Sequence, residues 1–181
     1  MKQQNSPFRF AIWFAGLFLM FYYFNIFFFR ETMPGANYIP FLAEKLNYIQ
    51  GLRHILLYST ANLLKLLGYG AIYNNYELLV AGHGSIQVVY SCLGLGLLSF
   101  LTAFIIAYPK TFRSKLIAFI VGVIGIEILN IIRFMVLALY GNGSTIDHHT
   151  IFNIFIYIIV SAGLYFWIKN DIASNNNHGA N

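Results

Sequence analysis

Four stretches of the chain stay apolar for about 20 residues, the length an α-helix needs to cross a hydrocarbon core of about 30 Å. They are Phe10–Phe29, Val88–Tyr108, Leu116–Tyr140 and His148–Ile168, each closed by charge or proline: Arg30-Glu31 after the first, Pro109-Lys110 after the second, Lys169 after the last. A fifth stretch, from Ile39 to Gly68, is apolar but interrupted by Glu44, Lys45, Arg53, His54 and Lys65. Its Arg53–Leu67 part reads as an amphipathic helix lying in the membrane interface, with a poor extra span as the alternative. From Tyr73 to Val89 the pattern shortens to alternating β-favouring residues around Gly82-His83-Gly84, which predicts a short hairpin. The fold class is an all-α membrane protein, a polytopic helical bundle of about 4–5 transmembrane helices with an amphipathic helix and a short extracytoplasmic β-hairpin. Residues 1–169 form one membrane domain, and the polar, Asn-rich stretch from Asn170 to Asn181 is expected to be disordered.

Composition agrees with this pattern. Only 9% of the residues are charged, against about a quarter in an ordinary soluble domain, so lipid must cover much of the surface. The net charge of +5 does not point to nucleic acid, because the cations flank apolar runs and do not form one patch. The first apolar run is too long for a signal-peptide core and is not followed by a small-residue cleavage site, so it reads as a retained anchor. Orientation follows from Lys110, Arg113 and Lys115 in one short connection, which should be cytoplasmic, while Gly141–Asp147 carries no cation and should face outward. Lys2 and Arg9 place the N-terminus inside if Ile39–Gly68 does not cross; a five-span arrangement with the N-terminus outside is the alternative. The last three spans keep their orientation in both. The topology expected is multi-pass in the cell inner (cytoplasmic) membrane, with the Gly141–Asp147 end facing the outside or periplasm.

The chemistry lies at one depth. Cys92 is 16 residues before Tyr108, Arg133 is 18 after Lys115, and His149 is 19 before Ile168. At 1.5 Å per residue all three stand about 24–28 Å from the cytoplasmic ends. A single cysteine excludes an intramolecular disulfide and any CxxC motif. Taken singly, Cys92 is most often a small buried hydrophobe, Arg133 snorkels to headgroups, and the histidines are interfacial. Arg133 also extends Glu127–Asn130–Arg133, one broad helix face that serves a structural polar cluster as well as a site. Jointly these bland readings need a coincidence of depth. Cys92 falls in the first turns of its helix and His148–His149 open another, with Asp147 as N-cap. The positive end of a helix dipole favours thiolate and neutral imidazole, the forms that cysteine acyl transfer uses. Arg133 would stabilise a thiolate or an oxyanion. Gly94 and Gly96 would admit a substrate backbone, or merely serve helix packing.

In Ser91-Cys92-Leu93-Gly94, Asn130-Ile131-Ile132-Arg133 and Asp147-His148-His149-Thr150-Ile151-Phe152-Asn153, the chain resembles the exosortase/archaeosortase family of membrane-embedded cysteine transpeptidases. Leu66-Leu67-Gly68-Tyr69 and the hairpin after it are similar to the lead-in of that family, and the double histidine followed by Phe152-Asn153 is similar to its compact Bacteroidota-type variants. The resemblance covers about Leu63 to Ile168. Leu93 stands where the family usually has Ser, and the chain has fewer spans than eight-span members. The resemblance implies a substrate with a C-terminal signal made of a short motif, a hydrophobic helix and a basic tail. That substrate is a membrane-anchored protein, met in the lipid bilayer; an accessory membrane protein is an open partner and nucleic acid is not one. The implied enzyme is a cysteine-dependent peptidase/transpeptidase needing no metal or organic cofactor. Its catalytic set would be Cys92 as nucleophile, Arg133 as charge stabiliser and a histidine as base, His149 favoured over His148 by its i, i+4 spacing to Asn153, with Asn130, Glu127, Gly94 and Asn153 supporting. Two other classes stay open. One is a non-catalytic transporter subunit or assembly factor using the Glu127–Asn130–Arg133 face; the other is a histidine-dependent acyl transferase.

Overall fold

A computed structural model describes the backbone of residues 7–33, 38–141 and 148–177, and the side chains of these apart from 148–151 and 170–177. The helices are α1 (Pro7–Thr32), α2 (Pro40–Lys45), α3 (Tyr48–Leu66), α4 (Leu95–Ala107), α5 (Phe112–Tyr140) and α6 (His148–Asn177). Between α3 and α4 lie three strands, β1 (Ala71–Tyr73), β2 (Glu77–Val80) and β3 (Gly84–Gln87), and a 3-10 turn, Tyr90–Leu93. Among the described residues, three helical segments are long and apolar enough to cross a membrane: Pro7–Thr32, Phe112–Tyr140 and Phe152–Lys169.

The predicted span Val88–Tyr108 differs most from expectation. Its helix is α4, only 13 residues and about 20 Å long, because Gly94 adopts a left-handed φ of 67° and breaks the chain between the 3-10 turn and the helix. Cys92 therefore precedes the helix and does not sit in its first turns. At the other end of the molecule, helical backbone continues to Asn177, past the Asn170 boundary set for the polar tail.

α1 and α4 run antiparallel. Phe10 meets Phe104 and Tyr108, Phe14 meets Phe100 and Phe104, and Phe18 meets Phe100, all edge to face with ring centroids 5.3–6.2 Å apart. Further along the pair, Asn25 Nδ2 donates to Ser99 Oγ at 3.0 Å. The end of α1 and the start of α4 thus lie together. Arg9, Lys110, Arg113 and Lys115 sit at the opposite, basic end, where Lys115 Nζ donates to Ile106 O at 2.7 Å and Lys110 lies 4.3 Å over the Trp167 ring. Closer contact of α4 with α5 depends on Gly122, where a Cβ would stand 2.7 Å from a Leu101 methyl.

α3 begins where Asn47 caps it, its side chain accepting from the Gln50 N–H at 2.9 Å. It buries Ile49, Arg53, Leu56, Leu57, Thr60, Ala61 and Leu64, one face at helical spacing. The expected amphipathic helix is present, starting five residues before Arg53 and turning that arginine inward. The predicted hairpin is β2–β3, closed through Ala81-Gly82-His83, with β1 added on its other edge to make a three-stranded antiparallel sheet. The β1–β2 connection is an Asx turn: Asn74 Oδ1 accepts from the N–H of both Tyr76 and Glu77 at 2.8 Å. Leu78 and Val80 point into the core on alternate positions of β2. The sheet rests on the end of α5, where His83 Nδ1 lies 3.1 Å from Leu139 O.

Candidate active site

The cysteine turn is held from three directions. Within the turn, the Cys92 N–H donates to Val89 O at 2.9 Å, and the side chains of Cys92 and Leu93 point into the core formed by α3, the sheet and the end of α5. Tyr90 stacks on Phe29 of α1, ring centroids 4.5 Å apart. Gly94 packs on α5 so closely that a Cβ there would lie 2.9 Å from Asn130 Nδ2. Glycine is required at this position twice over, by the left-handed backbone and by the lack of space.

Asn130 and Arg133 are each 1% exposed. Asn130 Nδ2 donates to Glu127 Oε2 at 3.3 Å, so the predicted i, i+3, i+6 face exists and its first two members are bonded. Arg133 Nη1 donates to Asn153 Oδ1 of α6 at 3.0 Å. Among the described residues its Nε and Nη2 have no hydrogen-bond partner. A cavity of about 310 Å³ opens at this point, lined by Tyr22, Tyr90, Ser91, Gly94, Asn130, Arg133 and Asn153, among others. Gly96 also borders it, and Glu127 does not. Residues far apart in sequence, Ser91 and Gly94, Asn130 and Arg133, and Asn153, thereby share one space; Cys92 does not line it, its side chain lying in the core behind the turn. His148 and His149 open α6, but their side chains, like Asp147 as the proposed N-cap, lie outside the described residues.

Two features were not singled out from the sequence. Tyr90 is half-buried beside Tyr48 and Tyr22, and desolvation followed by those neighbours pushes its phenol up to about 12. Arg53, counted from the sequence only as a topology charge, is 4% exposed. Burial pulls its guanidinium down from the usual arginine range, while Tyr76 and then Cys92 oppose that. The signal for it was present in the α3 periodicity, which places Arg53 on the same face as Ile49, Leu56 and Leu57.

A buried arginine with spare N–H donors stands at a cavity beside a cysteine turn in a multi-pass membrane bundle, an arrangement able to stabilise an anion at the end of the helices away from the basic connection. Compared with known families, the chain matches the model of the transmembrane exosortases over residues 3–167. It belongs to the transmembrane exosortase family, and the match reaches well beyond the Leu63–Ile168 part that carried the sequence resemblance. Searches of the curated proteins and of the solved structures gave no match. Family membership supports a membrane transpeptidase-type role in general terms.

Proposed function

We propose that the protein is a cysteine transpeptidase that cleaves the C-terminal sorting signal of membrane-anchored secreted proteins at the outer face of the inner membrane. The observation that carries this reading is Arg133: a guanidinium held by Asn153, with two unpartnered donor groups among the described residues, on a cavity whose wall includes Ser91 of the cysteine turn and Gly94 directly after it. In the proposed reaction the Cys92 thiolate attacks a peptide carbonyl. Negative charge then develops on the carbonyl oxygen, and Arg133 stabilises it. His149, or His148, having taken the thiol proton, gives it to the departing amine, leaving an acyl thioester that an acceptor nucleophile resolves, its proton returning to the sulfur. Asn130 props Gly94 and so fixes the turn, and Asn153 orients Arg133.

The antiparallel α1–α4 pair supports a topology in which both ends of the interval between them lie on one side, with α3 and the sheet as an outer layer and not a single crossing. α4 would then complete the bundle as a short fourth span. Cys92→Ala and Cys92→Ser, expressed at wild-type membrane levels, are expected to abolish C-terminal processing of a tagged candidate substrate. Normal processing in Cys92→Ala would refute the cysteine chemistry. Labelling of Cys92 only from the cytoplasmic side, by a membrane-impermeant thiol reagent, would refute the orientation.

A further inference from the structure

The buried face of α3 is apolar except for Thr60 and Arg53. Thr60 is satisfied locally, its hydroxyl donating to Leu56 O at 2.7 Å. Arg53 is not. Its Nη1 donates to Gln50 Oε1 at 2.6 Å and its guanidinium lies 4.8 Å from the centre of the Tyr76 ring, but among the described residues its buried Nε has no partner. An amide and a ring do not neutralise a cation. Burying a guanidinium without an anion costs several kcal/mol, so such a group is retained where an anion comes to it.

The surroundings identify that anion. Ile49, Leu56 and Leu57, one turn either side of Arg53 on the same face, belong to the buried cluster that contains Cys92 and Leu93. A small cavity of about 30 Å³ beside Arg53 is lined by Phe29, Gln50 and Tyr76 among others, and Phe29 stacks on Tyr90, two residues before the cysteine. The side chains that act on Arg53 through their charge are Tyr76 and Cys92. A phenol is neutral near pH 7, whereas a thiol can become anionic there under the influence of a cation.

We infer that Arg53 is the counter-charge of the Cys92 thiolate, a positioning residue that acts on the sulfur from α3 while Arg133 serves the cavity from α5. This rests on Cys92 being the reacting atom in the proposed function. It divides the work between two arginines, one for the nucleophile and one for the oxyanion. Other titratable groups on the elements around the turn include Tyr22 and Glu31 on α1, Tyr48, His54 and Tyr58 on α3, Tyr73 on β1, Tyr76 before β2, Glu77 on β2, Tyr90 in the turn, and Glu127 and Arg133 on α5. Tyr48 and Tyr90, raised by burial, stay neutral over the range that matters. Arg133 is a second cation, so removing Arg53 should shift thiol reactivity without abolishing it.

The test uses the full-length chain in lipid nanodiscs, where its single cysteine makes the readout unambiguous. The rate of Cys92 alkylation by iodoacetamide is followed against pH by mass spectrometry for wild type, Arg53→Gln and Arg53→Lys. The midpoint is expected to rise by about one pH unit in Arg53→Gln, a roughly tenfold slower reaction at pH 7, with Arg53→Lys recovering most of the difference. Gln50→Glu keeps the packing of Arg53 and sets a carboxylate against it, and it should move the midpoint in the same direction. Curves for Arg53→Gln and Gln50→Glu that superimpose on wild type would overturn the assignment, as would an Arg53→Lys variant no better than Arg53→Gln. Alkylation needs no substrate, so a flat response removes Arg53 alone. Normal processing in Cys92→Ala would remove the peptide chemistry while leaving any shift intact.

Discussion

The α1–α4 contact and the α5–α6 contact are both helix pairs in the same bundle, and they are built on opposite terms. Between α1 and α4 the contact is a ladder of phenylalanines meeting edge to face, and its one polar link, Asn25 to Ser99, sits within a set of bonds that also includes Tyr48 Oη donating to Asn25 Oδ1 at 2.5 Å. Between α5 and α6, near the cysteine turn, the contact is Arg133 on Asn153, with donor groups left over among the described residues. In lipid, apolar side chains gain little by leaving hydrocarbon, so the first contact is held by shape and dispersion. The second contains more hydrogen-bonding capacity than the fold uses. That surplus is what a structural pair would not retain, and it supports the proposed site.

The largest expected effect separates these roles. Arg133→Gln should lower substrate processing by on the order of 10²–10³-fold, the usual cost of removing an oxyanion donor, while the melting temperature of the purified protein does not fall. A drop in melting temperature matching the lost activity would make Arg133 a structural residue like its counterparts in α1–α4. Next comes Gly94→Ala, which forces a Cβ into a left-handed backbone against Asn130 and should cost about 1–3 kcal/mol in thermal or denaturant unfolding. It should also reduce processing more than its fold loss explains, because the turn itself moves. Phe14→Ala removes ring contacts to Phe100 and Phe104 at a cost of about 1 kcal/mol in unfolding, with processing per folded molecule unchanged. Altered processing per folded molecule would mean that the aromatic ladder is coupled to the site.

The smallest effect is a pH dependence. Tyr90 has a folded value of about 12 against an unfolded value near 10, so the stability it contributes is whole below pH 10 and is lost as the pH rises toward 12. Ultraviolet titration of wild type against Tyr90→Phe reads this directly, and a tyrosine signal near 10 assignable to Tyr90 would contradict it.

Much of this was legible from apolar runs and turn residues. The three long helices, the amphipathic character of α3, the Gly82-His83 turn and the Glu127–Asn130–Arg133 face all follow from periodicity within one element. The sequence reading missed wherever two elements compete for the same residues. Val88–Tyr108 looks like one span by hydropathy, yet Gly94 divides it, because the turn must press against Asn130 on another helix. A single hairpin was legible, but the third strand needed Asn74 to turn the chain back. Arg53 was read as one of the charges interrupting an apolar stretch, although the α3 periodicity already placed it on the face of Ile49, Leu56 and Leu57.

The sequence by itself determined that the chain lives in a membrane, because its composition leaves lipid as the only solvent for most of its surface. It also determined which residues were chemically out of place there: Cys92, Asn130 and Arg133. Only the tertiary structure decided which of them share a space. Depth along separate helices is set by local rise, but the azimuth of each helix is set by packing against its neighbours. That packing turned Arg133 toward Asn153 and a cavity beside the cysteine turn, and turned Arg53 inward beside Gln50 and Tyr76.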